Sequence, residues 1–156
     1  EDLDSQCRYR ALVESGIIGS GSDGARADDG LGWIFVNKIK DRLPDAFDYE
    51  LRYQLQVEDS ELICHYDTVI FVDATKASHA TGFELKPCEI AEHYYFSSHA
   101  QNPETVVYLA QTLYEVQPKA YVLGISGKEW ELGEGLSTDA ELNLIRAIDH
   151  FISLDW

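Results

Sequence analysis

Apolar residues recur along the chain with two periods. From Gly30 to Leu43, Leu31, Ile34, Phe35, Ile39 and Leu43 return at helical spacing, and Pro44 stops the run. Tyr49, Leu51, Tyr53, Leu55 and Val57 alternate with polar neighbours, which predicts a half-buried strand. Thr68-Val69-Ile70-Phe71-Val72 is continuous, β-branched and aromatic, as a strand covered on both faces should be, and it runs into Asp73. Tyr9 to Val13 reads as a first strand, resumed by Ile17-Ile18 ahead of a loop rich in Gly and Ser. Glu58 to Tyr66 predicts a short helix, Gly82 to Pro87 a modest strand and Ala120 to Ile125 a further one.

Asn102-Pro103-Glu104 is a helix start, with a capping amide, proline at the first helical position and an acid in the first turn. That helix is expected to turn Val106, Val107, Leu109, Ala110, Leu113 and Tyr114 inward. Thr138 with Glu141 reads as a capping box for the last helix, and Leu142, Ile145, Ile148 and Ile152 as its apolar stripe. Strands alternating with helices imply an α/β fold of three layers, a twisted and mostly parallel sheet with helices on both faces, of the phosphorylase/hydrolase-like kind. At 156 residues, the span 1–156 is expected to form a single domain.

Composition narrows the partners. The 28 acidic and 12 basic residues leave a net charge of −16, which repels nucleic acid and anionic membranes and favours a cation or a basic peptide. No stretch reaches the ~20 apolar residues of a membrane span, and Glu1-Asp2-Leu3-Asp4 is acidic where a secretory leader is basic, so a cytoplasmic location is expected. Cys7, Cys64 and Cys88 are odd in number and far apart, which reads as reduced thiols, with Cys64 in the core.

Ligands of open α/β sheets collect beyond the carboxyl ends of the strands. Asp29, after the glycine loop, Asp73, ending the central strand, and His99, ahead of the Asn102 cap, all fall there. Two carboxylates and an imidazole make a mixed oxygen and nitrogen set that suits nickel or zinc and leaves positions open. Without a metal, two close carboxylates can share a proton and act as acid and base. Each residue also has a plain structural reading: Asp29 beside Asp28 answers a helix dipole, Asp73 caps a turn, and His99 bonds its own loop. The loop Gly19 to Gly24 lacks the Gly-Lys-Ser/Thr ending of a nucleotide loop, and Asp28 and Asp29 lie where a pyrophosphate would sit, so a phosphate role is disfavoured.

Four segments, in order, resemble the hydrogenase maturation proteases, the endopeptidases that finish the large subunit of nickel–iron hydrogenases. They are Gly19-Ser20-Gly21 with Arg26 to Gly32, Val69 to Ala74, Ser97-Ser98-His99 with the Pro103 helix start, and Trp130 to Ser137. The resemblance implies that Asp29, Asp73 and His99 contact metal and that Asp29 and Asp73 position or deprotonate the attacking water. It also implies that Arg26 and Asp28 shape the loop. The implied enzyme is an aspartic-type, nickel-dependent endopeptidase that removes the C-terminal extension of a nickel–iron hydrogenase large-subunit precursor, after nickel insertion. Nickel would then come with the precursor, and no organic cofactor is expected.

The chain departs from the family where Ser22 replaces the usual asparagine, where the Gly21 to Arg26 loop is one residue longer, and where Gln54-Leu55-Gln56 replaces a Gly-Gly-Thr. Two other readings remain open at this point: an α/β peptidase for a different precursor, and a non-catalytic module that binds a metal or a partner.

Overall fold

A computed structural model describes residues 15–22, 27–92, 101–131 and 135–156. Its five-stranded sheet consists of β1 (Ser15–Ser20), β2 (Asp48–Arg52), β3 (Thr68–Thr75), β4 (Phe83–Pro87) and β5 (Lys119–Ser126), in the order β2-β1-β3-β5-β4. All pairings are parallel except β4 with β5. Four α-helices cover it: α1 (Leu31–Arg42), α2 (Asp59–Leu62), α3 (Pro103–Tyr114) and α4 (Thr138–Ser153).

Alternate residues of the strands feed two cores. Ile17, Ile70, Val72, Leu123 and Ile125 pack with α1 and α4 through Phe35, Ile39, Leu144 and Phe151. Ile18, Val69 and Phe71 point to the opposite face and meet Ile63, Cys64, Val106 and Ala110. The three-layer expectation therefore holds, and the continuous apolar run of β3 is explained by burial on both faces.

Several local expectations change. Residues 9–13 lie outside the described residues, and the first described strand begins at Ser15. The alternation from Tyr49 to Val57 forms a strand only to Arg52, because β1 supplies its partner and runs out at Ser20, opposite Arg52. Beyond that point Leu55 makes an isolated bridge to Gln101, and Tyr53 is left out of any ladder. Asn102 caps α3 as expected, accepting from the Thr105 amide at 2.8 Å, but Leu113 is exposed.

The cap of α4 is Ser137 and not Thr138, and its side chain accepts from the Ala140 amide. The buried face of α4 is Ala140, Leu144, Ala147, Ile148 and Phe151, whereas Leu142 and Ile145 are exposed. Both candidate stripes run at helical spacing, and the one that includes two small alanines is the one that lets α4 sit close to β5 and α1. Among the described residues no helix is long and apolar enough to cross a membrane.

Candidate functional site

β1 leads through α1 to β2 on one side, while β3 leads to β5 on the other, so the chain switches direction between the adjacent strands β1 and β3. Such a switch point leaves a crevice beyond the strand ends. A cleft of about 350 Å³ lies there, lined by Ser20, Gly21, Asp29, Tyr53, Leu55 and Asp73 among others.

Two glycines bring the pieces together. Gly32, in the first turn of α1, sits so close to the sheet that a Cβ would overlap the Ser20 carbonyl and lie 2.8 Å from that of Val72. Gly21 adopts φ +137°, a conformation side-chain-bearing residues rarely take, and a Cβ there would overlap the Asp29 carbonyl and approach Asp73 Oδ1 to 3.9 Å. Ser22 donates from its amide to that same Asp29 carbonyl at 3.2 Å. The glycine loop thus folds directly over the segment that carries Asp29, and Asp73 faces it from the neighbouring strand.

Asp29 belongs to a 3-10 turn, Ala27–Gly30, immediately before α1. Its neighbour Asp28 points the other way. Asp28 is 0% exposed, and its carboxylate accepts from four donors. These are the amides of Lys128 (2.7 Å), Glu129 (2.8 Å) and Ser137 (2.8 Å), with the Ser137 hydroxyl at 2.7 Å. Burial alone would push this carboxyl up, but the hydrogen bonds from Glu129, Lys128 and Ser137 outweigh it and hold it below its ordinary value. The twin aspartates therefore divide their work, Asp28 fastening the turn and Asp29 facing the cleft. Nothing in the sequence distinguishes the two, apart from the family resemblance that assigned Asp28 to shaping the loop.

Asp73 lies within β3, two residues before its end, and accepts from the Ala74 amide at 2.8 Å. It retains exposed surface, yet its carboxyl is hemmed in by the cleft walls, and that burial pushes it up to about 6. The Ala74 amide partly offsets the rise, the charge of Asp29 adds to it, and a hydrogen bond from the Ser20 side chain opposes it. The influence of Asp29 on Asp73 places the two carboxylates within electrostatic reach of one another.

Of the three residues singled out in the sequence, Asp29 and Asp73 share the cleft, and His99 lies outside the described residues, as does Arg26. Among the described residues no three His, Cys, Asp or Glu side chains gather as a metal cluster. Asn102 and Pro103 do line the cleft, so the segment that follows His99 reaches it. Sequence reasoning missed Tyr53, which also lines the cleft. Cys64 is buried and donates to the Ser60 carbonyl at 3.2 Å, a core role as expected.

No protein-family model matches the chain, and no curated protein sequence matches it. Solved structures do. The NiFe hydrogenase maturation protease HycI from Thermococcus kodakarensis superposes with a TM-score of 0.68 at 18% identity, over 96% of this chain and 95% of that one. The hydrogenase maturating endopeptidase HybD from E. coli gives 0.66 at 16% identity, over 90% of each chain. The hydrogenase 2 maturation peptidase of a Thaumarchaeota archaeon gives 0.63 at 18%, over 91% and 99%. The chain therefore has the fold of the solved hydrogenase maturation proteases.

Proposed function

We propose that this chain is an endopeptidase that removes the C-terminal extension of a nickel–iron hydrogenase large-subunit precursor once nickel has been inserted. The observation that carries the reading is the pairing of Asp29 and Asp73 across one cleft at the switch point of this fold. The four-motif resemblance and the near-complete overlap with solved maturation endopeptidases support it.

In this reading nickel arrives as part of the precursor. Two carboxylates of which one is destabilised as an anion by burial and by its partner form a donor pair that a divalent cation would relieve. Asp29, Asp73 and His99 would contact the metal, and water and precursor groups would fill the remaining positions. Bound there, the metal would polarise the scissile carbonyl. The carboxylates orient the attacking water and accept its proton, and Gly21, packed against the Asp29 carbonyl, holds the loop that brings Asp29 towards Asp73. The acidic composition and the absence, among the described residues, of a membrane-crossing helix accord with action in the cytoplasm.

The test is a cleavage assay on a large-subunit precursor, nickel-loaded or nickel-free, with product masses read and Asp29→Asn, Asp73→Asn and His99→Ala run in parallel. Loss of a short C-terminal peptide only with nickel, and only with the parent chain, is the expected result. Specific binding without cleavage would sink the enzymatic reading in favour of a non-catalytic module.

A further inference from the structure

Two strands bound the sheet, β2 and β4, and β2 is the one that continues into the cleft: Tyr53, Gln54 and Leu55, which follow it directly, line the wall. The Arg52 carbonyl faces β1, since it accepts from the Gly21 amide at 3.0 Å and from Trp33 Nε1 at 2.8 Å. Backbone groups along a strand alternate in direction, so Asp48, Glu50 and Arg52 serve β1, and Tyr49 and Leu51 turn theirs outward. Arg52 Nη1 holds the Leu51 carbonyl at 2.9 Å. Among the described residues nothing meets the Leu51 N–H, or the N–H and C=O of Tyr49. The other edge is less open. In β4 Pro87 has no N–H to offer, the Thr81 hydroxyl occupies the Phe83 carbonyl at 2.8 Å, and no β4 residue lines the cleft.

We propose that the outer edge of β2 pairs, as a further strand, with the extended segment of the precursor that adjoins the scissile bond. A strand edge running into the cleft wall can hold a substrate extended through main-chain groups that every sequence carries. The edge is fixed well enough to serve as a template. Gly21 and Trp33 anchor the Arg52 carbonyl, and the Arg52 side chain is tied to Asp59 (3.0 Å) and Glu50 (3.1 Å). A second copy of this chain is the poorer occupant, because the registers that pair Tyr49 with Tyr49 or with Leu51 set Glu50 opposite an acid. Pairing of this kind engages main chain alone and leaves Asp29 and Asp73 to the metal. The inference assigns an interaction surface outside the cleft and rests on the endopeptidase reading.

The test uses the full chain and a blocked peptide spanning the cut site of a nickel–iron hydrogenase large-subunit precursor. Two further copies of the peptide are N-methylated on alternate residues, in opposite phase. Binding should shift the amide signals of Tyr49 and Leu51 and slow their exchange, while those of Glu50 and Arg52 stay put. Only every second N–H of an added strand faces the sheet, so one methylated copy should bind about tenfold more weakly than the other. Leu51→Pro removes an N–H that β1 does not use, and should weaken the unmethylated peptide to a similar extent. On a precursor that the parent cleaves, this variant should raise KM more than it lowers kcat. Equal binding of the two methylated copies, no binding at millimolar peptide, or shifts that spare Tyr49 and Leu51 would each overturn the proposal, however the proline variant folds. So would a dimer of the parent chain that Leu51→Pro dissolves, which would give the edge to a second copy. A chain that pairs with the peptide at this edge but cleaves no nickel-loaded precursor would remove the endopeptidase reading and leave the strand pairing standing.

Discussion

Asp28 and Ser137, 109 residues apart, are joined twice, by the amide and by the hydroxyl of the serine, both donating to one carboxylate. The same hydroxyl accepts from the Ala140 amide and so caps α4. One serine thus couples the start of the last helix to the turn that presents Asp29. Gly127 completes the joint, because a Cβ there would press to 2.8 Å from Asp28 Cβ and 2.9 Å from the Trp130 ring. The geometry of the cleft is set from beneath by a residue that never reaches it.

Replacing Asp28 should therefore cost stability as well as the proposed activity. Asp28→Ala removes the shared acceptor of four donors, a loss of roughly 3 kcal/mol, equivalent to about 6–12 °C in Tm for a chain of this size. The pH dependence has a definite sign. A carboxyl held below its ordinary 3.8 in the folded state stabilises the fold above that value, and the contribution disappears as pH falls through the folded-state value. Thermal unfolding at pH 7 and near pH 3 checks this. A Tm gap between parent and Asp28→Asn that is the same at both pH values would refute the charge-assisted account.

Asp73 should behave in the opposite way. Its carboxyl, pushed up to about 6 by burial and by Asp29, is more comfortable neutral than charged in the folded chain. Relative to the unfolded state, whatever stability the neutral form contributes is fully present below 3.8 and is lost as pH rises through about 6. Asp73→Asn should then raise Tm at pH 7–8 by a few degrees at most, since solvent screening at the open cleft limits the gain to about 1 kcal/mol. The gap should close below pH 4, and the proposed cleavage should be lost. A Tm for Asp73→Asn at or below the parent value at pH 8 would count against a destabilised carboxylate at the cleft.

Much of this arrangement was legible in the chain. The β-branched run into Asp73, the Asn102-Pro103 helix start and the Pro44 stop each carry a local physical cause that tertiary context does not override. What could not be read depended on distant partners. β2 ends at Arg52 because β1 ends, a fact invisible in the alternation of β2 itself. Leu142 and Ile145 look as buried as Leu144 and Ile148 until α1 and the sheet choose a face. Ser137 outcompetes Thr138 as a cap because it also serves Asp28. Asp28 and Asp29 are chemically identical neighbours, and only the loop at 127–137 tells them apart.

Gly32 offers a test of how closely α1 must approach the sheet. The atoms a Cβ would strike are backbone carbonyls of Ser20 and Val72, which cannot rotate away. Gly32→Ala should cost about 2–3 kcal/mol in urea unfolding despite alanine's better helix propensity. Because Ser20 and Val72 adjoin Gly21 and Asp73, activity should fall further than the stability loss alone explains. A variant as stable as the parent would mean that α1 sits farther from the sheet than these contacts imply.

Association with the proposed precursor should depend steeply on salt. The chain carries −16 overall, and its cleft is walled by Asp29 and Asp73, so a basic extension on the precursor would be drawn in by charge over distances of about a Debye length. Raising ionic strength from ~0.05 M to ~0.5 M shortens that length severalfold and should slow association by at least about tenfold, leaving dissociation nearly unchanged. Stopped-flow or surface-binding rates across the series measure this. If the association rate is flat in salt, the charge of this chain serves its solubility and the extension is held by contacts within the cleft alone.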